Sequence, residues 1–117
     1  MLIDTHCHIN IMIKPTFDTL LDPSSFVQAQ HILEQAREHQ VSRIINVGTS
    51  LIESKNCITL AQQFEDIWAS IGIHPNDCTP TWKNDVKEFK KLLKEKKKKL
   101  KNLRDLPIFC STLISGL

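Results

Sequence analysis

The chain has 117 residues, 41% hydrophobic and 24% charged, with a formal net charge of +2, a composition ordinary for one small soluble domain and too short for two. No stretch approaches the ~18 consecutive apolar residues of a membrane helix. Met1-Leu2-Ile3 also reaches Asp4 without the basic start and apolar core of a signal peptide, so a cytoplasmic protein with no membrane partner is expected.

Leu2-Ile3, followed by polar residues, reads as a short strand whose end carries His6 and His8. A loop broken by Pro15 runs from Asn10 to Leu21. Asp22-Pro23-Ser24-Ser25 starts a helix, with Asp22 as cap and Pro23 in the first turn. That helix places Phe26, Ala29, Ile32, Leu33 and Ala36 on one face. Val41 to Val47 is short and β-branched, hence a strand, and Gly48 ends it. Ser50-Leu51-Ile52-Glu53 has the spacing of a capping box, and the helix after it buries Cys57, Leu60, Ala61 and Phe64. Ile67 to Ile71 is a third strand, closed by Gly72-Ile73-His74-Pro75. A third helix spans Trp82 to Lys99, with Val86, Phe89, Leu93 and Leu100 facing inward. The cysteines, Cys7, Cys57, Cys78 and Cys110, show no paired spacing and are expected as free thiols.

The order β-α-β-α-β-α is α/β and implies parallel strands joined by right-handed crossovers. Pattern alone leaves open a doubly wound sheet or part of a closed barrel. His6, His8, Asn46, Gly48 and Gly72 to His74 all fall at or just past the strands' C-terminal ends. Both architectures place their sites there.

Residues i and i+2 of a strand point the same way, with Cα atoms about 6.6 Å apart. His6 and His8 therefore project together, and two imidazoles can meet on one zinc-like ion. Cys7 points the other way and reads as packing, whereas Asp4 lies deeper on the histidines' face, placed to orient a ring. On spacing alone, two surface histidines in a loop explain the same dipeptide pattern. A hydrolytic metal centre draws on three or more protein ligands and an open water position.

"LIDTHCHIN", then "IINVGTS", then "ASIGIHPND", in that order within residues 1–80, resemble the TatD-family metal-dependent hydrolases, among the amidohydrolase-like barrels. The resemblance implies a TIM-barrel-like (β/α)8 fold, of which residues 1–99 supply an incomplete N-terminal β-α-β-α-β-α part. It further implies a deoxyribonuclease with DNA as substrate, acting on phosphodiester bonds with divalent metal ions at a two-metal site. By that resemblance His6 and His8 are metal ligands and His74 lines the substrate site. The other reading of His74 is a loop histidine bonded to backbone ahead of Pro75.

The family's later metal-bridging glutamate, two further histidines and an aspartate have no counterpart. No Glu follows Glu95 and no His follows His74, so no catalytic residue is identified. Residues 100–117 depart from the family pattern just after Lys96-Lys97-Lys98-Lys99, whose codons are A-rich. The tail is therefore expected to be out-of-frame translation, a naturally shortened homologue being the other possibility. The third strand's outer edge is expected to be unpaired, favouring self-association. Leu106, Pro107, Ile108, Phe109, Leu113 and Ile114 are expected to cover part of the barrel interior. Little or no activity is expected of this chain.

Eleven of the fifteen Lys and Arg residues lie within 83–104. Lysines there would neutralise phosphates, but a solvated helix face opposite Val86, Phe89 and Leu93 is the preferred reading. With Phe89 assigned to the apolar face, no aromatic is left among the lysines for base stacking. Two alternative functions follow: a small basic nucleic-acid-binding fragment without catalysis, and another amidohydrolase-like metal hydrolase. The Gly-Ile-His-Pro segment argues against the second.

Overall fold

The computed structural model describes residues 1–99 and 108–110. Strand β1 (Leu2–Cys7) runs into a single-turn helix α1 (Ile9–Met12). After an irregular segment and a 3-10 turn at Pro23–Ser25 come α2 (Phe26–Glu38), β2 (Val41–Val47), α3 (Leu51–Gln63) and β3 (Ile67–Ile71). A second 3-10 turn (Pro75–Asp77) leads to α4 (Trp82–Lys99), and a three-residue strand β4 (Ile108–Cys110) follows. Local chemistry accounts for the starts. Asp22 Oδ1 accepts from the Ser24 N–H at 2.9 Å, with Pro23 supplying a preset φ. Ser50 Oγ accepts from the Glu53 N–H at 3.1 Å and caps α3. No helix among the described residues is long and apolar enough to cross a membrane.

All strand pairs are parallel and the sheet order is β1-β2-β3-β4. A doubly wound sheet reverses its order at a switch point, whereas the consecutive order here is consistent with a barrel segment. Ile44 stands opposite Ile67, and Asn46 opposite Ala69. These positions and Ile71 are buried in one core with Ala29 and Leu33 of α2, Cys57, Leu60 and Ala61 of α3, and Phe89 of α4. Ile45 and Trp68, the intervening positions, are only half-buried and stand outside that core. They mark the face that a closed barrel would fill.

The outer edge of β3 differs from expectation. It is paired with β4, Ala69 opposite Ile108 and Ile71 opposite Cys110. Ile-Phe-Cys is a β-prone run, and its return beside β3 continues the order of the preceding units. At the other end of the sheet β1 is an exposed edge, where Leu2 and Ile3 are 58% and 51% accessible. The first strand of a barrel segment needs a last strand to cover it. The expected cover from Leu106, Pro107, Leu113 and Ile114, and the inward position of Leu100, lie outside the described residues. Along α4, Lys83, Lys87, Lys90, Lys91 and Lys94 are exposed while Phe89 is buried, the solvated face expected.

Helix α3 begins very close to the end of β2. A Cβ on Gly48 would lie 2.6 Å from Ser54 Cα and 2.9 Å from Ser54 N. Ser54 is itself held there, its hydroxyl accepting from the Gly72 N–H at 3.1 Å. The Ser54 hydroxyl is also in the way, but these two atoms are backbone, so no side-chain movement relieves them. Gly48→Ala is expected to destabilise the fold by about 1–3 kcal/mol. The check is a lower urea midpoint at unchanged m-value; an unshifted midpoint refutes the close approach.

Candidate metal centre at the strand ends

His8 leaves the strand with φ −131° and opens α1. Its Nδ1 lies 2.8 Å from the Val47 carbonyl oxygen. A carbonyl only accepts, so Nδ1 carries a proton, and in the neutral ring Nε2 then keeps its lone pair. The His6 ring stands beside it, centroids 5.0 Å apart at 78° between planes. His6 is exposed and His8 half-buried, so the pair sits at the rim formed by the strands' C-terminal ends. A backbone carbonyl behind one ring nitrogen is the arrangement that orients imidazoles toward metals.

Asp4 does not orient a ring. Its Oδ1 accepts from the His6 backbone N–H at 3.0 Å, because a short carboxylate reaches a donor two residues on more readily than a distant imidazole. The register of β1 against β2 slips between Asp4 and Cys7, an irregularity that re-aims side chains at a strand end. Cys7 is half-buried and packs against the core. Burial first, then the nearby Asp4 charge, raise its pKa, which suits a packed thiol rather than a thiolate ligand. Cys57 and Cys78 are likewise free thiols.

His74 lies exposed in the loop after β3. Its backbone N–H donates to the Thr49 carbonyl at 2.7 Å, which joins this loop to the end of β2. Its Nδ1 accepts from the Asn76 N–H at 3.1 Å, so the ring is bonded to backbone just past Pro75. A neutral His74 ring then carries its proton on Nε2. Among the described residues no three His, Cys, Asp or Glu side chains converge on one point. Of the residues described at this rim, the His6 and His8 rings are the two imidazoles that lie side by side.

Two residues beneath the pair were not singled out as site residues from sequence. Asn46 is fully buried, its Oδ1 accepting from the Ile9 N–H at 2.7 Å. Glu53 is also fully buried. Only half of its capping box forms, because its carboxylate turns inward instead of back to Ser50. Oε2 accepts from Asn10 Nδ2 at 2.6 Å and Asn56 Nδ2 at 3.2 Å. Oε1 accepts from the Asp18 N–H at 2.8 Å and forms an ion pair with Lys14. Burial works against the charge, but Lys14, then Asn10, Asn56 and the Asp18 N–H, outweigh it and hold the carboxyl below the ordinary Glu range.

The profile described as TatD related DNase matches residues 3–100. The chain belongs to the TatD family. It is 29% identical over 92 residues to an uncharacterized metal-dependent hydrolase, YabD, of Bacillus subtilis (strain 168), covering 79% of this chain and 32% of the relative. A 3'-5' ssDNA/RNA exonuclease TatD of Cronobacter sakazakii is 35% identical over 54 residues, 46% of this chain and 20% of that protein. Its counterpart in Pectobacterium parmentieri is 34% identical over 70 residues, 58% of this chain and 26% of that protein. The chain spans a third or less of the length of these TatD-family relatives.

Folding lowers the Glu53 pKa, so its contribution is full at neutral pH and fades as acid protonates the folded carboxylate. Glu53→Gln leaves Lys14 buried without its counter-charge and is expected to cost about 3–5 kcal/mol at neutral pH. In urea unfolding the difference from wild type should shrink below the ordinary Glu range. A difference that stays constant into acid refutes the charged state of the buried carboxylate.

Proposed function

We propose that residues 1–99 form the metal-binding start of a divalent-metal-dependent nuclease acting on DNA phosphodiester bonds, and that the 117-residue polypeptide by itself is catalytically inert. The observation that carries the first half is the His8 ring, held through Nδ1 against the Val47 carbonyl with the His6 ring 5.0 Å away, centroid to centroid. His6 and His8 would hold the ion. Divalent ions in such sites supply Lewis acidity toward a phosphoryl oxygen and a water of lowered pKa. His74, whose Nδ1 is occupied by the Asn76 N–H, would offer its Nε2–H to a substrate oxygen at the same rim. The printed names of the relatives, a metal-dependent hydrolase and ssDNA/RNA exonucleases, support a nucleic-acid substrate.

Inertness follows from the donor set. A hydrolytic centre uses three or more protein ligands, and two imidazoles with no carboxylate or general base brought to them among the described residues leave the ion weakly held. The sequence offers no Glu after Glu95 and no His after His74 to complete it. Self-association through the open β1 edge, with Leu2 and Ile3 exposed, belongs to the same reading.

The test uses the purified 117-residue chain with single-stranded and duplex DNA and added magnesium, manganese, zinc or cobalt. No nucleotide release above a His6→Ala, His8→Ala control is expected. Cobalt(II) should bind weakly and lose at least about tenfold in affinity in His8→Ala. Metal-dependent release abolished by His6→Ala overturns inertness, and cobalt binding that is indifferent to both histidines overturns the assignment of the site.

A further inference from the structure

We infer that Asn46 is a positioning residue that sets the metal-facing nitrogen of His8; the inference rests on the reading of His6 and His8 as ligands. Three consecutive residues at the β1–α1 turn are each held by a group from a neighbouring element. The His8 ring donates to the Val47 carbonyl, the Ile9 N–H donates to Asn46 Oδ1, and the Asn10 amide donates to Glu53. The side chain of one β2 residue and the carbonyl of the next therefore grip the backbone and the ring of the same turn.

The position of Asn46 makes this grip specific. It stands opposite Cys7 in the sheet register, one residue from His8, and is 0% exposed. Helix α1 receives no side-chain cap from His8, and Ile9 is itself fully buried. The Ile9 N–H thus has the Asn46 oxygen as its partner, in a place where water is no substitute. The other end of the amide is fixed as well, since Nδ2 donates to Cys57 Sγ at 3.2 Å. Burial first, then the charge of Glu53, push the Cys57 thiol up, so it stays neutral and able to accept. The amide has no freedom to flip.

Truncating Asn46 leaves the Ile9 N–H buried and unpaired, and the turn must shift to find another acceptor. The His8 ring then loses its registration with the Val47 carbonyl. A ring released from that acceptor also populates the Nε2–H tautomer, which has no lone pair on Nε2 for an ion. Asn46 would therefore act on metal binding without touching the metal.

The experiment follows the His8 ring nitrogens by long-range nitrogen-15 NMR in the metal-free 117-residue chain, and cobalt(II) affinity by titration. Wild type is expected as the Nδ1–H tautomer. Asn46→Ala should show mixed tautomers and bind cobalt about 10- to 100-fold more weakly. Asn46→Asp keeps an acceptor for the Ile9 N–H and should keep both properties. Leu33→Ala, a core truncation in α2, should lose stability yet retain the wild-type tautomer. The inference is overturned by a wild-type chain in the Nε2–H form, by Asn46→Ala with wild-type tautomer and affinity, or by Leu33→Ala shifting the tautomer equally. Should Asn46→Ala not fold, the wild-type tautomer and the Asn46→Asp rescue decide. A wild-type chain that binds no cobalt defeats the ligand reading, while the tautomer readout still decides the role of Asn46.

Discussion

The strand-end rim depends on one buried carboxylate. A charge as enclosed as that of Glu53 is tolerated only when paired and fully hydrogen-bonded, and the chain supplies four donors to it. Three of the four, Asn10, Lys14 and the Asp18 N–H, come from the segment after β1, and the fourth from Asn56 on its own helix. An irregular stretch of this length has its own backbone groups to satisfy. The partners of Glu53 do that too: Lys14 reaches the Thr16 carbonyl at 2.8 Å, and Asn56 accepts from the Leu21 N–H at 3.0 Å while donating to the Thr19 carbonyl at 2.8 Å. The loop is folded around the carboxylate.

Such an ion pair is a poor source of net stability compared with apolar packing. Its effect is to fix one arrangement. Asp18 adopts a left-handed backbone, φ 59°, which an aspartate tolerates better than most residues. That conformation points its N–H at Glu53 while its own carboxylate accepts from Ser50 Oγ at 2.6 Å. Ser50 in turn caps α3 through the Glu53 N–H. Cap, buried charge and loop form a closed ring of hydrogen bonds, so displacing one displaces the others. Gly48 completes the constraint by letting α3 approach β2 closely enough for the ring to close.

What was legible in the sequence was what is local. Period-2 and period-3.6 patterns and the caps at Asp22 and Ser50 place β2, α2, α3, β3 and α4, because each signal lies within a few residues of its effect. Strand order, a property of pairing between distant segments, was open on pattern alone and came only through the resemblance to a (β/α)8 hydrolase. β4 carries only three residues of pattern, too few to stand out from a tail. Glu53 misled because the capping-box spacing constrains its backbone and not the direction of its carboxylate. Asn46 did leave a signal: it shares a strand face with Ile44, so it points into the covered core, and a buried amide there requires partners. Those partners, on α1 and α3, were beyond what local pattern reaches.

The site divides into two tasks that different parts of a barrel perform. Holding the His8 ring and its turn draws on β1, β2, α1 and α3, since the groups that hold residues 8, 9 and 10 come from Val47, Asn46 and Glu53. Supplying further ligands requires donors that the described residues do not bring to the pair. The first task can therefore be complete where the second is not. The His8 turn is held by its nearest neighbours, whatever later strands of this fold contribute. Positioning is local here because hydrogen bonds to buried donors act over one residue's width, whereas a metal's shell must be gathered from strand ends all around a rim.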